Sequence, residues 1–374
     1  MANILILGGG FGGVVTAERL AAQLSDRHQI TLVSRTRNFV FYPALVKLAF
    51  GKCERNDVSF DLRQAMLRRR VNFVEAEVAY IDPGHKKVTI AHGDVEGKLS
   101  YDHLVFALGR RLATEQITGF FEHAHHLLNV DKAINFGNAV ANFHEGHAVI
   151  GQCEGARLPV PVYETAFALA RRLEVSGERN RVKITIVDPD GLDATLGAQT
   201  TLLLNKALAA HDVEIIHHFP VEKVTKNSIS TKDGHSIDFD LLMLVPPFRG
   251  SPAASYMGTI DQAGYIMVDS TMRVLRHEGL YAVGDSVNFA GPKMGHMAVS
   301  QGEVAAANVA AELEGDAPVA HYSHEVKLVI DDSAARSIYL RRNLWTDEAG
   351  SVRQGRFWHL AKSVQQRYWE FSHC

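Results

Sequence analysis

The sequence predicts an α/β protein made of two Rossmann-like units, the second inserted within the first. Three observations predict it. A short apolar strand at 3–7 runs into Gly8-Gly9-Gly10-Phe11-Gly12-Gly13 and then into helical apolar spacing over 14–24. A weaker copy starts at 147: a strand, the turn Gly151-Gln152-Cys153-Glu154-Gly155, a helix over 163–173 and a strand over 182–187. Apolar strands that end at a glycine turn recur at 101–110, 240–250 and 279–285. Strands alternating with helices in this way specify parallel sheets with crossover helices.

Bulk properties fit this. A chain of 374 residues with 46% hydrophobic content supports two domains and a remainder. A net charge of −3 lacks the basic footprint of a nucleic-acid binder. The 19 histidines form no HExxH, HxH or Cys/His grouping, so no metal is expected. The N-terminus has no basic region and its apolar run stops at Gly8, which reads as a strand rather than a signal peptide. No run reaches transmembrane length. The expected location is the cytoplasm, either free or on the inner face of the membrane. Cys53, Cys153 and Cys374 are far apart and suggest no disulfide framework.

The first turn carries the clearest chemistry. Gly8, Gly10 and Gly13 stand in the three places of GxGxxG. They serve a tight turn, close backbone approach to a pyrophosphate, and close packing of helix on strand. The helix N-terminus then offers free N–H groups to the phosphates. The next strand, 29–33, ends at Ser34 and Arg35, where a carboxylate would normally hold the ribose. Ser34 can hydrogen-bond a ribose hydroxyl and Arg35 can pair with a phosphate; both also read as plain strand-end residues. The distant Gly284-Asp285 matches the Gly-Asp motif of FAD enzymes, whose Asp contacts the ribityl chain and a phosphate. Together the two segments predict FAD, held by a domain of 1–114 and 251–315. A second domain spans 115–250, and 316–374 remains as a C-terminal segment.

The second turn is damaged. Cys153 replaces the central glycine, and Pro159 and Pro161 remove N–H donors near the helix start. Arg157 also crowds the turn. Asp188 survives at the strand end, as a ribose ligand or an ordinary strand-end Asp. NAD(P)H binding in the usual mode is not expected.

Nested units of this kind resemble the pyridine-nucleotide disulfide reductase superfamily. Phe39-Val40-Phe41-Tyr42-Pro43-Ala44-Leu45, Pro246-Pro247-Phe248-Arg249-Gly250 and Gly291-Pro292-Lys293-Met294-Gly295 are similar to its sulfide:quinone oxidoreductase branch, related to flavocytochrome c sulfide dehydrogenases and type II NADH dehydrogenases. The resemblance implies FAD contacts at Gly8, Gly10, Phe11, Gly12, Gly13, Ser34, Arg35, Tyr42, Pro43, Val78, Ala107, Gly109, Arg110, Gly284, Asp285, Lys293 and Gly295. It also implies that Lys293 faces the flavin pyrimidine, where a cation stabilises negative charge on reduction. The branch's sulfur-handling cysteines align by eye near Leu128, Leu158 and Leu328, and leucine supplies no thiolate. Cys153 is the remaining thiol candidate near the flavin, with a buried filler role as its alternative.

Electrons must also leave. A small-residue helix over 296–308 is similar to the quinone-side helix of type II NADH dehydrogenases, with His296 as a candidate quinone ligand or proton relay, or else a helix-start His bonded to backbone or water. The tail 356–374 is helical by spacing, an amphipathic helix with the stripe Phe357, Leu360, Ala361, Val364, Tyr368 and Phe371, flanked by Trp358 and Trp369 and by Arg353, Arg356, Lys362 and Arg367. That pattern suits an anionic membrane surface or, alternatively, a homodimer interface. The expected activity is electron transfer from a small donor, a sulfur species among the candidates, through FAD to a quinone. The alternatives are an NAD(P)H-dependent flavin dehydrogenase and a non-enzymatic FAD redox sensor.

Overall fold

The computed structural model describes residues 1–24, 27–190, 196–332, 337–346 and 350–358, with 360, 364 and 369. Two parallel sheets organise the chain. The larger has seven strands, in the order Leu280–Ala282, His103–Phe106, Asn3–Leu7, Gln29–Ser34, Asn72–Asp82, Lys87–Gly93 and Lys98–Ser100. Its first five strands pair in parallel and the last two are added antiparallel. The smaller sheet is wholly parallel: Val213–His217, Val182–Asp188, Gly146–Gln152 and Leu241–Val245. Asn3–Leu7 inside the larger sheet and Leu241–Val245 at the edge of the smaller are both buried almost throughout, as continuous apolar runs covered on both faces must be.

Strands Arg110–Leu112 and Phe248–Gly250 link the two sheets' segments, pairing antiparallel with Arg249 opposite Arg111. The helix Phe11–Gln23 follows the first strand, and Val160–Ser176 follows its counterpart in the smaller sheet. Helix Gly295–Glu314 packs along Phe11–Gln23. A Cβ on Gly302 would fall 2.6 Å from the Gly12 carbonyl oxygen, so the two backbones touch. The Thr16 hydroxyl ties the pair, donating to the Gly12 oxygen at 2.7 Å and reaching the Gly302 oxygen at 3.3 Å.

The C-terminal segment adds a further unit ahead of the tail. Glu325–Asp331, Ser337–Asn343 and Ser351–Gly355 form a three-stranded antiparallel sheet. Leu328 is buried on its inner face. In the tail, 356–358, 360, 364 and 369 are helical. The remaining stripe and flanking positions, Ala361, Lys362, Arg367, Tyr368 and Phe371, lie outside the described residues, as does Cys374.

Candidate functional site

Gly8 and Gly13 make the first turn possible. Gly8 has φ +112°, and a Cβ there would sit 2.2 Å from the Ala107 carbonyl oxygen; one on Gly13 would sit 1.9 Å from the Gly8 oxygen. Gly10 differs, because a Cβ there would meet nothing within 4 Å. Its missing side chain therefore serves a space outside the protein's own packing. The helix that starts here has no side-chain cap and no acidic residue in its first turn. Its leading N–H groups and the positive end of its dipole are left for an anion.

A second open helix end lies beside the first. Helix Gly295–Glu314 also lacks a side-chain cap and an acidic first turn. A Cβ on Gly295 would lie 3.2 Å from the Phe11 ring, so the two N-termini adjoin. Phe39 and Phe41 pack on Phe11 at 5.1 and 5.7 Å, which brings Tyr42-Pro43 to the same edge. Trp369 of the tail lies 4.8 Å from the Phe11 ring, a contact that sequence spacing did not suggest. Gly284 is fixed by its N–H donating to the Gln301 side chain at 2.7 Å. Asp285 faces Arg110 at 3.4 Å, and the Arg110 guanidinium lies 3.8 Å over the Phe248 ring. An extended nucleotide fits this row of two helix ends, Ala107 to Arg110, and Asp285.

Other expected contacts are placed less directly. Ser34 is buried, with its hydroxyl donating to the Thr36 oxygen at 2.9 Å and lying 2.7 Å from where a Gly9 Cβ would stand. With its proton given to Thr36, it can accept but not readily donate. Arg35 is exposed. Val78 pairs with Ile90 in the antiparallel part of the large sheet.

Lys293 is buried in a charged aromatic cluster. Its ammonium lies 4.5 Å from the Tyr265 ring and donates to the Val287 carbonyl oxygen. Burial pushes it down to about 7; neighbouring Arg157 pushes the same way, while Asp285 and Asp261 oppose. Arg157 reaches across from the second turn. It donates to the Gly291 oxygen at 2.7 Å and to the Phe289 oxygen, and the Lys293 N–H donates to the Arg157 oxygen at 2.7 Å. Arg157 thus belongs to the flavin side rather than to a second ligand. Tyr265 carried no sequence signal.

Two candidate catalytic residues fare differently. Cys153 is fully buried in an apolar cluster with Val149, Val187, Phe219 and Leu244. Burial pushes its thiol far up, which disfavours the thiolate that nucleophilic chemistry needs and favours a filler role. His296 places Nε2 3.2 Å from the Glu325 oxygen and 3.0 Å from the Lys327 N–H. Burial pushes it down to about 4. A neutral ring committed to strand backbone argues against a quinone ligand or proton relay.

The second turn offers fewer donors than the first. Its helix starts after Pro159 and has Pro161 in its first turn, so two N–H groups are missing there, and the Val162 N–H bonds back to the Pro159 oxygen at 3.1 Å. Asp188 is only 1% exposed and its carboxylate accepts from the Gln152 amide at 3.1 Å, so it is not presented as a ribose ligand. Among the described residues no metal-holding cluster of His, Cys, Asp or Glu occurs.

Comparison with known proteins agrees with this geometry. Over 269 residues the chain is 27% identical to sulfide-quinone reductase of Aquifex aeolicus, an alignment covering 68% of this chain and 61%, under two thirds, of that protein. It is 24% identical to type II NADH:quinone oxidoreductase of Staphylococcus haemolyticus, over 84% of this chain and 83% of the relative. The crystal structure of sulfide:quinone oxidoreductase from Aquifex aeolicus superposes with a TM-score of 0.91 at 22% identity, covering 99% of this chain and 91% of that one, and so shows the same fold. A sequence model of the pyridine nucleotide-disulphide oxidoreductase family matches residues 2–302. With its FAD cradle, the chain belongs to that family and is an FAD-dependent oxidoreductase.

Proposed function

We propose that this protein takes electrons from a small reductant other than NAD(P)H and passes them through FAD to a membrane quinone. One observation carries the reading: the first dinucleotide turn is open around Gly10, whereas the second has a buried Cys153 in that place, prolines for N–H donors at its helix start, and Asp188 held by Gln152. Quinone as acceptor is common to the names of both relatives.

FAD, when bound, supplies the two-electron carrier. The N–H groups at Phe11 and Gly12 would hold its pyrophosphate, and Asp285, positioned by Arg110, would hold its ribityl chain. Lys293, balanced near neutrality, supplies positive charge beside Tyr265 or a proton to a developing anion. The donor is not processed by cysteines in the manner of the resembling branch. Leu128 and Leu328 are buried apolar residues, and Leu158 packs against the same core.

Access for the quinone falls to the tail. Phe357, Leu360 and Val364 are 69%, 62% and 57% exposed, a stripe with Arg356 beside it. This stripe suits docking on an anionic bilayer. No helix among the described residues is long and apolar enough to cross a membrane. The test is anaerobic mixing of the yellow holoprotein with NADH, sulfide or another small thiol, followed by a water-soluble quinone. Bleaching by a sulfur reductant and recovery on adding quinone is the expected result. Bleaching by NADH alone overturns the proposed donor class.

A further inference from the structure

Strands Arg110–Leu112 and Phe248–Gly250 present two faces. Alternation along a strand puts Arg110, Leu112, Phe248 and Gly250 on one face and Arg111 and Arg249 on the other. The first face meets the FAD cradle through Arg110 and Asp285. The second opens into a cleft of about 400 Å³, lined by Arg111 and Arg249 with Ser251, Ser255, Gln262 and Gly264.

Two arginines directly opposite each other in an antiparallel pair repel, and such pairs destabilise a sheet. Glu115 offsets only part of this. Its carboxylate accepts from Arg111 at 2.5 Å, and it also feels the charge of Arg249. One carboxylate between two guanidinium groups leaves a net positive charge. No carboxylate lines the cleft itself. The turn 261–265 contributes Gln262, Ala263 and Gly264 to the lining, and its Tyr265 ring meets Lys293.

We propose that this cleft binds a small oxyanion, inorganic or borne on a small organic molecule, between Arg249 and Arg111. Guanidinium forks match tetrahedral and carboxylate oxygens in pairs, and an anion there cancels the cross-strand repulsion. Ser251 and Gln262 add neutral donors at the rim. The site is distinct from the FAD cradle, and the inference does not depend on the proposed donor or acceptor.

The test uses the holoprotein in chloride buffer at constant ionic strength. Phosphate, sulfate and thiosulfate are titrated separately, with binding followed by calorimetry and by thermal unfolding. Saturable binding of at least one oxyanion, with a raised unfolding temperature, is expected. Arg249→Gln should weaken it at least tenfold while leaving FAD content unchanged. In chloride alone, Arg249→Gln should unfold at a higher temperature than the parent, because it removes the like-charge pair. The arm that binds tightest identifies the source of the anion. Oxyanions no better than chloride, or equal binding by Arg249→Gln, overturn the proposal.

Discussion

The turns at 8–13 and 151–155 follow one strand–turn–helix plan and have opposite capacities. At the first, glycine is used twice against the protein's own backbone, at Gly8 and Gly13, and once against nothing in the protein, at Gly10. At the second, Gly151 is packed tightly on Val187, but the place of Gly10 is taken by a cysteine sunk in the core. Of the two packing glycines, one survives at the second turn as Gly151 while Ala156 stands in the place of Gly13, and the ligand-facing glycine is lost. Packing and binding are therefore separable demands on one motif.

Substitution of the first turn should break this comparison most sharply. Gly13→Val puts a Cβ 1.9 Å from the Gly8 oxygen and should yield insoluble protein. Gly10→Val meets no protein atom within 4 Å, and its φ of −87° suits any residue. It should fold with stability within about 0.5 kcal/mol of the parent yet purify without FAD. Circular dichroism and flavin absorbance separate the two outcomes. A yellow Gly10→Val protein would misplace the pyrophosphate.

Acid should loosen the smaller sheet, and the contact of His296 and His324 with the C-terminal sheet, before the strand at 3–7. Burial lowers the pKa values of His125, His126 and His147, all around the smaller sheet, with His126 down to about 4 from 6.5. These rings stay neutral in the fold and charge in the unfolded chain. Their contribution is thus whole above about pH 6.5 and is lost as pH falls toward 4; for His126 alone it is on the order of 3 kcal/mol. In the larger sheet, burial also lowers His103, but Glu312 at 3.2 Å opposes the shift. Hydrogen exchange at pH 5 should show faster opening of 146–152 than of 3–7. His126→Gln should flatten the acid limb of stability, and an unchanged limb would contradict the assignment.

Arg157→Ala asks whether the second turn is merely covered. Leaving the Gly291 and Phe289 oxygens without their donor should cost roughly 1–3 kcal/mol in urea unfolding. It should not create NADH binding, since the prolines and the Gln152–Asp188 bond remain. NADH binding gained by this variant would make Arg157 a plug rather than a tie.

The smallest effect concerns Lys293. Lys293→Met removes a buried cation from the Tyr265 cluster and should make the bound flavin harder to reduce. A shift of about 30 mV corresponds to about 1.4 kcal/mol for a two-electron couple. Lys293→Arg should retain most of the original potential. An unchanged potential in Lys293→Met would leave the residue a structural one.

Much of this was legible because backbone rules dominate where glycine and apolar runs lie. The turn at 8–13, the strands at 101–106 and 240–245, and the Gly284-Asp285 pair each follow from local pattern. What stayed hidden depends on side chains that meet across distance. Tyr265 beneath Lys293, the reach of Arg157 to Gly291, and Trp369 on Phe11 join segments that have no periodic relation. His296 and Cys153 were open between two readings for a related reason. Their chemistry was inferred from residue type, whereas burial and backbone partners decide protonation and reach. The sheet at 325–355 was missed because its alternation is short and an aromatic tail follows it.

The central claim is that one turn binds a dinucleotide and its counterpart does not. Anaerobic titration of the yellow holoprotein with NADH, followed by dithionite, tests it most directly. The account predicts no saturable change in flavin absorbance with micromolar NADH and full bleaching with dithionite. Rapid, saturable bleaching by NADH would contradict it, because the nicotinamide would then have found a seat that Pro159, Pro161 and the buried Asp188 should deny it.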